Sequence, residues 1–94
     1  MAADERHRIE IRYCTQCNWM LRAAWTAQEL LQTFGGSVRE VALVPVTGGE
    51  FEVWVGETLV WSRRERDRFP EPKELKRAVR DVITPGRALG HADR

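Results

Sequence analysis

An alternating strand that leads directly into a cysteine pair is the feature that most constrains how this chain can fold. Residues 9–13 alternate apolar and polar side chains, a pattern typical of a half-buried strand. A Cys-Thr-Gln-Cys motif follows at 14–17, and an amphipathic pattern over 17–34 predicts a helix that a glycine pair ends. The next apolar run, Val38–Val44, predicts a second strand. A helical crossover of this length makes the two strands parallel.

The second half of the chain predicts a hairpin and one more helix. Phe51–Val55 and Thr58–Ser62 read as strands, and the Gly-Glu pair between them favours a tight hairpin turn. Residues 63–68 carry mixed charges and predict a solvated loop. A proline-rich start near residues 70–72 leads into an apolar stripe at helical spacing. The predicted order of elements is therefore β-α-β-β-β-α, an α/β class.

A parallel strand–helix–strand unit joined to a hairpin and a helix is a minimal thioredoxin-like plan, with a four-stranded mixed sheet. Glu10 and Arg12 point away from the apolar residues of the first strand, so we expect helices mainly on one face of the sheet. The length predicts a single domain over 1–94, in which 1–8 and 85–94 are expected to be flexible tails.

Composition and charge limit the classes of function. A formal net charge of +1 gives no reason to expect nucleic acid or an anionic membrane as a partner. Residues 1–8 lack the apolar core of a signal peptide, and no apolar stretch is long enough to cross a bilayer. These features predict a cytoplasmic protein, in a compartment where thiols are kept reduced.

The spacing of Cys14 and Cys17 indicates redox chemistry. Cysteines three positions apart at a helix start lie close together, and the free N–H groups there favour the thiolate. We expect Cys14, which precedes the helix body, to be the more exposed of the two. Two alternatives remain: a zinc site completed by His7 and His91, and a pair of inert core thiols with Cys17 in the apolar arc.

Three segments together resemble the Rdx family, which includes selenoproteins W, T and H and bacterial cysteine-containing proteins related to selenoprotein W. They are the cysteine motif with its preceding tyrosine at 13–17, the Phe-Glu-Val run at 51–53, and the Phe-Pro pair at 69–70. The resemblance covers about residues 8 to 94. It is closest to the bacterial cysteine-containing members.

The resemblance implies a thioredoxin-like fold and thiol-based redox activity without a bound cofactor. It implies glutathione, thioredoxin or 14-3-3 proteins as partners, and it places Cys17 where the selenoproteins carry selenocysteine. Thioredoxin-like folds often place a cis-proline beside the cysteines, and Pro45 stands at the corresponding point before the third strand. The resemblance thus favours a cis bond before Pro45, whereas X–Pro bonds in general are usually trans, so both isomers remain open.

Four tryptophans suggest contacts with a partner, although we expect most of them to pack in the core, because tryptophan is highly buried on average. Trp25 falls on the polar side of the first helix, and Trp19 lies at the edge of the apolar arc. Alternation places Trp54, Leu59 and Trp61 on one face of the hairpin. We expect that face to be incompletely covered, as an apolar patch that a second copy or a protein substrate would bury. In the alternative, Phe51, Val53 and Val55 face outward and the tryptophans fill the core.

Two functions follow from these features. The first is a thiol-disulfide oxidoreductase or redox sensor that uses Cys14 and Cys17 with thiol proteins or glutathione. The second is an interaction module that binds a partner through a tryptophan-rich surface, with or without redox control.

Overall fold

The computed structural model describes residues 5–90 as a four-stranded mixed sheet packed against helices. The elements in chain order are β1 (His7–Cys14), α1 (Met20–Phe34), β2 (Val38–Val46), β3 (Phe51–Val55), β4 (Thr58–Ser62), α2 (Arg63–Arg66) and α3 (Pro72–Ile83). The strands lie in the order β2-β1-β3-β4. Strand β1 is parallel to β2 and antiparallel to β3, and β4 is antiparallel to β3. The predicted α/β class with a thioredoxin-like mixed sheet is confirmed.

Strand β1 is central, and its alternation separates a covered face from an open one. Ile9 and Ile11 have no exposed surface and lie in the core with apolar residues of α1 and α3. On the opposite face, the carboxylate of Glu10 forms ion pairs with Arg8 and Arg12. Both large helices therefore pack on the same face of the sheet, and a network of charges covers much of the other.

Helix α1 begins later than the amphipathic pattern predicts. Residues 15–18 form a turn, Asn18 adopts a left-handed backbone conformation with φ of 60°, and the helix starts at Met20. The prediction of helix from Cys17 onward is wrong, because the apolar character of Cys17 matches the helical period while its backbone belongs to the turn.

A β-bulge in the hairpin changes which tryptophans share a face. Trp54 pairs with Leu59 but Val53 pairs with Trp61, so Val60 is an extra residue in β4. The extra residue moves Trp61 to the covered face, where it is 3% exposed and its indole N–H donates to the carbonyl of Arg68 at 3.2 Å. The prediction that Trp54, Leu59 and Trp61 share one face is wrong for Trp61.

The segments around the last helix are more ordered than the charge pattern suggests. The first residues of the predicted loop form α2, a single turn in which the hydroxyl of Ser62 accepts from the N–H of Glu65 at 3.3 Å. Helix α3 begins with a reciprocal capping box between Glu71 and Glu74. The side chain of Glu74 also forms an ion pair with Arg68.

The two predicted tails, 1–8 and 85–94, lie partly within the described residues. His7 and Arg8 belong to β1, and Leu89 is buried against the core. Residues 1–4 and 91–94, including His91, lie outside the described residues.

Candidate functional site

The two cysteines lie where β1 ends and the chain turns toward α1. Cys14 is the last residue of β1 and pairs with Val46 at the end of β2. Both the backbone N–H and the hydroxyl of Thr15 donate to the carbonyl of Val46, at 3.0 and 3.2 Å. The N–H of Asn18 donates to the carbonyl of Thr15 at 3.3 Å. These bonds fix the turn that folds Cys17 back toward Cys14.

The sulfur atoms of the motif are close enough to react with each other. Both thiols are free, and the thiol of Cys17 donates to the sulfur of Cys14 at 2.8 Å. A disulfide needs about 2.05 Å between its sulfurs, so closure requires a movement of only about 0.8 Å. The turn therefore presents a dithiol pair whose oxidation needs little rearrangement.

Negative charge is stabilised at Cys14. The hydrogen bond from the Cys17 thiol lowers the pKa of Cys14, and the backbone N–H groups of Gly49, Cys17 and Gln16 lower it further, against the opposing effect of burial. The same bond raises the pKa of Cys17, together with burial and the charge of Cys14, while the positive charge of Arg63 opposes the rise. When the pair loses one proton, the remaining proton is therefore held mainly on Cys17.

The stabilising groups are not those that the sequence predicts. Because α1 begins only at Met20, the N–H groups that act on Cys14 come from the turn itself and from Gly49 on the β2–β3 loop. Gly48 and Gly49 have φ of 86° and 77°, a backbone region that favours glycine. The Gly48-Gly49 pair was the only sequence signal for this loop, and it indicated a connection between two strands but no contact with Cys14.

The relative exposure of the cysteines is the reverse of the expectation. Cys14 is 1% exposed, whereas Cys17 is partly exposed. Cys14 is still a strand residue, and its N–H donates across the sheet end to the carbonyl of Glu50 at 2.8 Å. The prediction that Cys14 is the more exposed cysteine is therefore wrong.

Two of the other predicted site residues lie next to the motif. Trp19 directly precedes α1 and packs edge to face on Phe69, with ring centroids 4.9 Å apart. Pro45 pairs with Tyr13, one residue before the pairing of Cys14 with Val46. The peptide bond before Pro45 is trans.

The remaining tryptophans are more distant from the motif or buried. Trp54 pairs with Glu10, four positions before Cys14 on β1. Its indole N–H donates to the carboxylate of Glu52 at 3.2 Å, and the guanidinium of Arg12 lies 4.9 Å from its ring centroid. Trp25 is 45% exposed on α1. Trp61, in the core, offers no surface to a partner.

Sequence reasoning missed Arg63, which it placed in a solvated loop. The guanidinium of Arg63 lies 4.9 Å from the ring centroid of Trp19, and its charge acts on Cys17. No signal in the sequence indicates that Arg63 lies near the motif, because only the folded chain brings these distant residues together.

The described part of the chain contains neither a metal-binding group of side chains nor a helix that could span a membrane. Within residues 5–90, no three histidine, cysteine or acidic side chains are grouped closely enough to hold a metal ion. Every helix in the same range is too short or too polar to span a membrane.

The central strand ends in a turn that precedes a helix, and the two sulfur atoms of this turn lie 2.8 Å apart. This arrangement defines a thioredoxin-like protein with a Cys-x-x-Cys motif. The model of the Rdx family matches residues 8–81, and the chain belongs to this family. No match was found among curated proteins.

Two solved structures are similar over most of the chain. A selenoprotein W-related protein from Vibrio cholerae is 52% identical, with a TM-score of 0.82, and the match covers 84% of this chain and 99% of the other. A protein from Bordetella parapertussis is 54% identical, with the same TM-score, and the match covers 84% of this chain and 100% of the other. The predicted resemblance to selenoprotein W-related proteins is confirmed.

Proposed function

We propose that this protein exchanges the Cys14–Cys17 dithiol for a disulfide in reaction with thiol partners. The observation that carries the proposal is the contact of the two sulfurs at 2.8 Å, with the charge stabilised on Cys14. Thiolate is the attacking species in thiol–disulfide exchange, so a pair in which the first deprotonation is favoured is prepared for this reaction. Membership of the Rdx family agrees with a redox role.

Access decides which sulfur meets the partner. Negative charge is favoured at Cys14, but Cys14 is 1% exposed, whereas Cys17 is partly exposed. Once one proton is lost, the two sulfurs share the other across 2.8 Å, and in such a coupled pair the charge belongs to both sites. We infer that transfer of this proton to Cys14 exposes the thiolate on Cys17, which attacks first. This assignment agrees with the selenocysteine position that the family resemblance implies for Cys17.

The proposed reaction is balanced between sulfurs. The Cys17 thiolate attacks one sulfur of a partner disulfide, forms a mixed disulfide and releases the other sulfur as a thiolate. Cys14 loses its proton to solvent and attacks the Cys17 sulfur, which closes the internal disulfide and releases the second partner thiolate. The dithiol is oxidised by two electrons and the partner disulfide is reduced to two thiols. No cofactor is needed to carry these electrons.

Glutathione or a thiol protein would supply the partner disulfide, and the reducing cytoplasm is the compartment that we propose. The same reaction supports catalytic reduction of a partner or sensing of its redox state. The two roles differ in whether the internal disulfide is reduced repeatedly by a donor.

Thiol counting by mass spectrometry after mild oxidation tests the proposal. The wild-type protein is expected to lose two hydrogens and both alkylatable thiols, and to regain them after reduction. Cys14→Ser and Cys17→Ser serve as controls that cannot form the internal bond. A wild-type protein that keeps both thiols under conditions that oxidise free glutathione contradicts the proposal.

Binding of a protein partner is the second candidate function, and the exposed side of α1 favours it. Leu21 is 76% exposed, and Met20 and Trp25 are also exposed on this helix, which begins three residues after Cys17. We propose that this surface, rather than the hairpin, contacts the partner. Sedimentation of the wild type and of Leu21→Ser at several concentrations tests a second copy as the partner. Identical monomeric behaviour of both proteins contradicts self-association.

A further inference from the structure

Two arginines and two aromatic rings form a cluster beside Cys17. Trp19, two residues after Cys17, packs edge to face on Phe69. The guanidinium carbon of Arg63 lies 4.9 Å from the ring centroid of Trp19 and 5.2 Å from that of Phe69. The guanidinium carbon of Arg22 lies 4.1 Å from the same Phe69 centroid. We call Arg22, Arg63, Trp19 and Phe69 the arginine–aromatic cluster.

Carboxylates of the described residues leave the charges of this cluster unneutralised. Among residues 5–90, neither Arg22 nor Arg63 forms an ion pair with a carboxylate, whereas Arg8, Arg12 and Arg68 all do. The Nε atom of Arg63 is buried and has no hydrogen-bond partner within the described range. That buried donor is out of a ligand's reach, so binding falls to the charges of the two guanidinium groups, which a bound anion would neutralise.

The cluster is also within electrostatic reach of the reacting sulfur. The charge of Arg63 lowers the pKa of Cys17 against the other influences on it, so a negative group at that sulfur is attracted to Arg63. Stacking on aromatic rings restrains a guanidinium plane without consuming its N–H donors. Arg22 is exposed and Arg63 is partly exposed, which leaves both open to a ligand.

We propose that the arginine–aromatic cluster binds the anionic group of the disulfide that reacts at Cys17, so that the preferred partners carry a carboxylate near the disulfide bond. Guanidinium groups bind carboxylates through paired, charge-assisted hydrogen bonds. The inference rests on the proposed function, since it names the class of disulfide that the thiol pair accepts.

Two small disulfides of different charge serve as probes. Dithiobis-nitrobenzoate carries a carboxylate on each half, and dithiodipyridine is uncharged. In a Cys14→Ser background, the Cys17 thiolate attacks either probe, forms a mixed disulfide and releases one aromatic thiolate that absorbs light. The ratio of the two rate constants cancels the fraction of Cys17 that is ionised. It therefore reports attraction of the anionic probe alone.

Arg63→Gln in this background is expected to lower the anionic-to-neutral rate ratio roughly three- to tenfold, from the loss of one charge near the reacting atoms. Adding Arg22→Gln should lower it further, and high salt should shrink the effect. Arg63→Lys keeps the charge and should hold the ratio within about twofold of the parent. Arg66→Gln is the matched control on the same short helix, because its guanidinium stacks on Trp61 instead. Circular dichroism spectra check that each variant is folded.

An unchanged ratio in folded Arg63→Gln overturns the inference, even if both rates fall. Equal losses of the ratio in the Lys and Gln variants also overturn it, because a structural role would explain them. The proposed function fails separately: after reaction with either probe, wild-type protein would then carry a lasting probe adduct in its mass spectrum instead of ending two hydrogens lighter, since Cys14 would not displace the second thiolate.

Discussion

Replacement of Trp61 by alanine tests the bulged hairpin that underlies this account of the fold. The side chain is 3% exposed, and its indole N–H donates to the carbonyl of Arg68 at 3.2 Å. Truncation of a buried tryptophan to alanine costs about 3–5 kcal/mol of unfolding free energy. We expect Trp61→Ala to fall in this range, with lost packing as the main component.

Trp54→Ala is the matched control from the same hairpin. Trp54 is half-buried on the open face, where it donates to Glu52 and lies under the guanidinium of Arg12. Loss of these contacts costs about 1 kcal/mol, because exposed cation–π and polar contacts are weak. The two variants should therefore differ by roughly 2 kcal/mol or more, which is about 10 °C in Tm for a domain of this size.

Urea unfolding followed by far-ultraviolet circular dichroism measures both values, since this signal does not depend on the tryptophan removed. The slope of free energy against urea should be similar in the two variants. A Trp54→Ala variant that is destabilised as much as Trp61→Ala would refute the bulge. Trp61 would then share the open face with Trp54, as simple alternation predicts.

Three further predictions concern the site and α3. Gly49→Ala should lower the free energy of unfolding by about 1–3 kcal/mol, because φ of 77° strains alanine. It should also slow disulfide exchange, because the Gly49 N–H bonds to Cys14. Gly36→Ala, measured in the same urea and exchange assays, should be tolerated. Cys17→Ala should raise the pKa of Cys14, followed by thiolate absorbance against pH, because the Cys17 thiol is the main group that lowers it. The pKa of Glu74 is lowered from 4.5 to about 2 by its arginine partner, so its stabilisation is present at neutral pH and is lost as pH falls through that range. Glu74→Gln should therefore cost about 1 kcal/mol at neutral pH, and stability curves of variant and wild type should converge near pH 2.

The type and order of the main elements could be predicted because local patterns determine them. The alternation in β1 and the helical period of α1 are both imposed by burial on one face, and the structure keeps both. The glycine pair after α1 and the proline at the start of α3 mark real boundaries. The family could also be predicted, because the cysteine motif after the strand, the Phe-Glu-Val run and the Phe-Pro pair together resemble it.

What could not be predicted depends on contacts between distant segments. The extra residue Val60 in β4 is set by packing of the hairpin on the core, and it alone changes the face of Trp61. Cys14 is buried at the sheet end, where its N–H donates to the carbonyl of Glu50 on a segment distant in sequence, and alternation within β1 does not reveal this. Arg63 begins a run of alternating charges, and the following residues 64–68 are exposed, as the charge pattern predicts. Only the fold brings it to rings near the motif.

Trapping of the mixed disulfide shows which cysteine attacks the partner and which one closes the internal disulfide. Each single cysteine variant is mixed with a small disulfide, and the adduct is located by mass spectrometry of peptides. Cys14→Ser is expected to accumulate a lasting adduct on Cys17, and Cys17→Ser to react far more slowly because Cys14 is 1% exposed. The wild type should pass through the adduct and end two hydrogens lighter, with the internal disulfide closed. A rapid, lasting adduct on Cys14 in Cys17→Ser, or a wild type that keeps its adduct, would contradict the account.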